Sequence, residues 1–91
     1  MVKNLPKNGM SPLSLDHLNV GEIFNVVGTS LRPVLRTLLY GGITEATDLI
    51  VVSRDRYSIF VQALKGPQSL RIRVVHAKHL VVRSIKFVKL N

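Results

Sequence analysis

The chain contains no cysteine and no tryptophan, and no acidic residue follows Asp55. Lacking cysteine, it has no disulfide framework, no cysteine-ligated zinc site and no thiol nucleophile, and it fits a reducing compartment. No apolar run approaches the ~18 to 20 residues a membrane-spanning helix needs. The opening stretch, MVKNLPKNGMSP, has no apolar segment of the kind a secretory signal carries. These absences predict a water-soluble, cytoplasmic protein.

What is present is charge of one sign. There are 13 Lys and Arg against 5 Asp and Glu, a formal net charge of +8. From Arg56 to Asn91 there are eight basic residues and no acid. Such a field favours an anionic partner: nucleic acid, an anionic membrane surface or an acidic protein face. Solubility alone is the plainer explanation. Hydrophobic residues make up 46% of the chain and charged residues 20%, which is globular and not disordered composition. At 91 residues the chain is long enough for one small core and no second domain. Residues 1–12 read as a loose N-terminal arm and residues 13–91 as the domain.

The sequence is organised around Ser30 to Leu49. Leu31, Val34, Leu35, Leu38 and Leu39 recur at the spacing that lines one helix face, and this face is expected to lie in the core. Ser30 is the expected cap, Pro33 suits the first turn, and Gly41 and Gly42 end the helix, with Gly42 at positive φ. Before the helix, Leu13–Leu18 suggests a helical turn capped by Ser14, and Glu22–Gly28 a first strand.

After the helix, Asp48–Ser53 is nearly apolar and reads as a strand buried on both faces. Tyr57–Leu64 alternates, with Tyr57, Ile59, Val61 and Ala63 on one face. The loop Lys65–Gln68 leads into a second alternating run with Leu70, Ile72 and Val74 inward, so the pair forms a hairpin. His76–His79 suggests one helical turn and Leu80–Val88 a closing strand. Phe24 and Phe60 are assigned to the core. About five short strands with one helix after the first predict a mainly β fold, a small and strongly bent β-barrel.

No catalytic arrangement is visible. The five acids show no paired spacing, and the serines and threonines have no base set beside them. His76 and His79 are three apart, and His17 or Asp16 would have to join them to make a metal site, so no metal and no cofactor is expected. Arg32, Arg36 and Tyr40 fall at i, i+4 and i+8 on the helix, beside Leu39. This is a stripe suited either to docking a protein surface or to plain solvation. Arg71, Arg73, Arg83 and Lys86 form a possible basic patch on the barrel. Aromatic residues to interleave with it are few, which counts against a single-strand nucleic-acid surface, although phosphate contacts alone can give non-specific binding.

Taken in order, these features resemble the FeoA family, the small accessory proteins of bacterial ferrous-iron uptake. The resemblance rests on Leu15 and Leu18, Gly21-Glu22, Val26-Val27-Gly28, Arg36 with Leu38 and Leu39, Gly42-Ile43, Thr44 to Thr47 and Leu49 to Val52. Later it rests on Ser69-Leu70-Arg71-Ile72 and Ala77 to Val82. Ala46 stands where that family usually has Gly, and Arg54–Tyr57 lacks its usual loop. The resemblance implies an SH3-like β-barrel with an inserted helix. It also implies a non-enzymatic role, docking on FeoB, the membrane ferrous-iron permease with a cytoplasmic GTP-binding domain, and modulating its assembly or GTP cycle. Homo-oligomers are a further expectation. A small basic barrel that binds nucleic acid is the alternative.

Overall fold

The computed structural model describes residues 13–88; the expected arm, 1–12, lies outside them. Among the described residues the chain is mainly β, with six antiparallel strands in one sheet. They are β1 (Leu13–Ser14), β2 (Glu22–Thr29), β3 (Leu49–Arg54), β4 (Ser58–Ala63), β5 (Ser69–Arg73) and β6 (Leu80–Phe87). Two helices interrupt them: α1 (Arg32–Tyr40) between β2 and β3, and the one-turn α2 (Val74–Ala77) before β6. The order across the sheet is β1-β6-β2-β3-β4-β5. The expected closure into a barrel is not completed, because β1 and β5 are edges that do not pair with each other. The sixth strand is β1, whose two residues pair with Val81 and Val82 just ahead of the expected helical turn at Leu15–His17.

Alternation builds the core. Leu49 and Val51 of β3, Ile59, Val61 and Ala63 of β4, Ile72 of β5 and Leu80 and Val82 of β6 all point inward and are buried. Phe24 of β2 sits fully buried among them, with Leu15 and Leu18 from the turn before it. Two register shifts interrupt the β2–β6 ladder, one between Ile23 and Phe24 and one between Val26 and Gly28. Such bulges add local twist, which curves the two longest strands of the sheet.

Glycine is required where the end of β6 meets the turn before β2. Gly21 has φ +99°; its N–H donates to the Val51 carbonyl (2.8 Å) and its carbonyl accepts from Val88 N–H (2.7 Å). A Cβ built there would lie 2.1 Å from the Val88 carbonyl oxygen. Glu22, next along, closes the same corner: its carboxylate accepts from Asn19 N–H (2.7 Å) and from Ser84 Oγ (3.0 Å).

Several expectations need correction. The helix is not capped by Ser30. Leu31 holds the cap position and its N–H donates to Thr29 Oγ1 (3.1 Å), with Pro33 in the first turn as expected. Only Val34 and Leu38 of the helix are buried, with Leu31 packed against the core; Leu35 and Leu39 are exposed. A helix turns about 100° per residue, so a nine-residue helix on a curved sheet seats one residue per turn. Leu35 and Leu39 sit one step round from that line. Strand β3 is not buried on both faces: Leu49 and Val51 point inward, while alternation sets Ile50, half-buried, and Val52, exposed, on the other face. Phe60 lies on the outer face of β4 and not in the core, and Tyr57 belongs to the exposed turn before that strand. Val74 starts α2 and does not extend β5, although its N–H still donates to the Tyr57 carbonyl (2.7 Å).

The helix end follows the sequence. Gly41 continues with right-handed backbone (φ −81°), and Gly42 takes φ +74° as the chain turns away. Gly42→Val is expected to cost about 1 to 3 kcal/mol from backbone strain. Gly41→Val should cost less, since its φ suits an L-residue, and of the atoms a Cβ there meets, the end of the Leu70 side chain at 3.2 Å can give way while the Thr37 carbonyl oxygen at 3.3 Å needs to yield only a few tenths of an ångström. Urea melts of the two variants compare them directly, and equal losses would remove the assignment of the helix end.

Candidate functional site

Helix α1 carries the candidate site because its length lets the sheet cover only one side of it. Val34 and Leu38 anchor it. On the outer side, Arg32, Leu35, Arg36, Leu39 and Tyr40 line an open groove of about 460 Å³. Leu35 and Leu39 also border a second groove, of about 490 Å³, between α1, Val26–Gly28 of β2 and the loop Ile43–Ala46. The two leucines therefore form an apolar ridge with a groove on each side. Leu39 is 63% exposed and Tyr40 84%, far beyond what the core residues of the same helix show.

The charges around the ridge are asymmetric. Arg32 and Arg36 flank it on one side, while Glu45 borders the groove on the other. Arg32 stands in the first turn, where no acid is present. The free amides there already carry partial positive charge, so a cation at this end disfavours the helix by about 0.3 to 1 kcal/mol. A guanidinium placed against the helix dipole does not serve the helix's own stability. Thr37 donates its Oγ1 to the Pro33 carbonyl (2.9 Å), bonding back to the helix's own first turn.

The four residues singled out on the helix, Arg32, Arg36, Leu39 and Tyr40, thus share one groove. The reading of the sequence missed Leu35, which it placed in the core, and the contribution of the loop after Gly42. The helix's length relative to its apolar stripe was the available signal, since five apolar positions over some two turns exceed what one line of contact can bury.

The four residues of the possible basic patch fall into two pairs. Arg71 and Arg73 lie on the edge strand β5 and Arg83 and Lys86 on β6; all are exposed, and β2, β3 and β4 stand between the two strands in the sheet. Arg71 pairs across the ladder with Phe60, and its guanidinium carbon lies 5.9 Å from the ring centre. Near them, Asp55 accepts hydrogen bonds from the N–H groups of Tyr57 (2.7 Å) and Ser58 (2.9 Å). These backbone bonds hold its carboxyl below its ordinary value, with smaller contributions from the Ser58 hydroxyl and the Arg71 charge.

The remaining polar side chains fasten one element to another. Asn25 of β2 donates to the Thr47 carbonyl (3.1 Å) and to Asp48 Oδ1 (2.6 Å), holding the loop that lines the second groove. Arg54 donates to the Asp16 carbonyl (3.2 Å) and to that of Leu18, tying β3 to the turn after β1. His76 lies in α2 and His79 just after it. Among the described residues no three His, Cys, Asp or Glu side chains gather as metal ligands would. Nor is any helix among them long and apolar enough to cross a membrane.

No protein-family model matches the chain, and no curated protein matches it. Solved structures do. An iron uptake regulatory protein (FeoA) superposes with a TM-score of 0.65 at 20% identity, over 81% of this chain and 97% of its own. A FeoA-like protein from Clostridium acetobutylicum gives 0.68 at 18% identity, over 88% of this chain and 94% of its own. FeoA protein from Chlorobium tepidum gives 0.69 at 21%, over 81% and 71%. The chain has the fold of FeoA proteins.

Proposed function

We propose that the chain is a non-enzymatic accessory protein of ferrous-iron uptake. In this reading it works in the cytoplasm, docks through α1 on the cytoplasmic part of the FeoB permease and modulates the permease's assembly or GTP cycle. The FeoA-like fold supports the iron-uptake setting, one solved structure of that fold being described as an iron uptake regulatory protein. The observation that carries the docking is the Leu35/Leu39 ridge with Arg32, Arg36 and Tyr40 beside it. Exposed leucines give non-directional affinity, while arginine and tyrosine are the residues that most often anchor interfaces. Two guanidinium groups suit an acidic rim on the partner and set the orientation of docking.

The test is a binding titration with the cytoplasmic part of the permease from the same organism, followed by its GTP turnover. Leu39→Asp, and Arg32→Glu with Arg36→Glu, should each weaken binding by a factor of about 10 or more. Reversal of Arg71 and Arg73 should change it by less than about twofold, as expected for charges remote from the contact. Salt should weaken binding only moderately, because the apolar part is unscreened. Equal losses from both arginine pairs, or no binding by the unaltered protein, would overturn the docking reading.

A further inference from the structure

From the outer face of β4 and β5 we infer a second binding surface, one that takes single-stranded nucleic acid. It is separate from α1 and does not depend on the role proposed for that helix.

A phenylalanine on a strand of so small a domain is ordinarily core, yet Phe60 is 44% exposed on the outer face of β4. Its neighbour across the ladder is Arg71, whose guanidinium carbon lies over the ring 5.9 Å from its centre, near the outer limit of a cation–π contact and loose enough for a base to displace it. Arg73 follows two residues on, on the same face of β5, and Gln62 follows Phe60 in the same way on β4; both are exposed. An exposed aromatic side chain with one guanidinium opposite it and a second one step along the adjoining strand is a combination that holds single strands: a base stacks on the ring and the arginines meet the phosphates to one side of it.

Charge complementarity supports the same occupant. No acid follows Asp55 in the sequence, so β4 and β5 carry none of their own. Asp55, in the turn before β4, accepts from the N–H groups of Tyr57 and Ser58 and keeps its charge, so the cationic side of the surface is β5 and not that turn. Among the described residues β5 is a sheet edge, along which a nucleic-acid strand can run. A duplex fits less well, since its bases are stacked away from any ring.

The test is fluorescence anisotropy of labelled twelve-nucleotide oligo-dT and oligo-U with the full chain, at two salt concentrations. Labelled duplex DNA and a labelled poly-glutamate peptide serve as comparisons. Both single strands should bind, and more tightly than the duplex or the peptide. Phe60→Ala should weaken single-strand binding by about 5- to 150-fold, the range for loss of one stacked base. Phe60→Trp should retain it. Replacing Arg71 and Arg73 by Gln should lower the salt slope by about 1.4, or 0.7 for each phosphate contact. Arg32→Gln with Arg36→Gln on α1 should leave binding within about twofold. Phe60 is at the surface, so circular dichroism and melting of each variant can confirm that it folds. Three outcomes would each overturn the inference: no single-strand binding at low salt, poly-glutamate binding as tightly as oligo-dT, or Phe60→Ala binding as well as the unaltered protein while folded.

Discussion

Leu38→Ala is expected to cost about 2 to 5 kcal/mol in a denaturant melt, and Leu39→Ala, its immediate neighbour, less than ~0.5 kcal/mol. Leu38 is 4% exposed and packs in the main core cluster, so truncation removes buried methyl groups and leaves a cavity under the helix. Leu39 is 63% exposed and has little burial to lose. The contrast is large against the ~5 to 15 kcal/mol that hold a typical domain together. The pair also separates folding from function, because Leu39→Ala should bind the proposed partner more weakly while melting as the unaltered protein does. If both substitutions cost a similar amount, the helix sits on the sheet in another rotation and the exposed ridge is misplaced.

Gly21→Ala should be at least as damaging, with an expected loss of about 3 kcal/mol or more. The positive φ alone costs an L-residue about 1 to 3 kcal/mol. The added Cβ would also stand 2.1 Å from the Val88 carbonyl oxygen, a backbone atom that cannot rotate away. Relieving that overlap means lifting the end of β6, and with it the Val88–Gly21 hydrogen bond, which is worth about 0.5 to 1.5 kcal/mol. Gly28→Ala is the control, since nothing lies within 4 Å of a Cβ built there. Thermal melts of the two variants should differ by many degrees, roughly 4 to 8 °C for each kcal/mol in a domain of this size. A Gly21→Ala variant as stable as Gly28→Ala would mean that the end of β6 does not lie over the turn.

The sequence by itself determined the local elements. Period-two alternation located β4 to within a residue at each end, and the Gly-Pro loop separated it from β5. The 3.6-residue spacing with Pro33 and the Gly41-Gly42 pair located α1, and Gly42 took the positive φ that its place at the helix end required. These are properties of a few neighbouring residues, so they can be read without the rest of the chain. The order of elements was also enough to point to the fold that the solved FeoA structures share.

Tertiary structure decided which side of each element is covered. Leu35 and Leu38 are equally apolar, and only the rotation of α1 on the sheet buries one and exposes the other. Phe60 carries no sign in its composition of facing outward. Alternation sets it opposite Ile59, Val61 and Ala63, and only the packing decides that no element covers that face. The split of the four basic residues into two pairs depends on the strand order, which local pattern does not encode. Hydrophobicity is a property of the residue and burial a property of the packing. A small curved sheet with one short helix has less inner surface than its sequence has apolar residues. The surplus is left outside, and Leu35, Leu39 and Phe60, which belong to it, mark the two candidate binding surfaces.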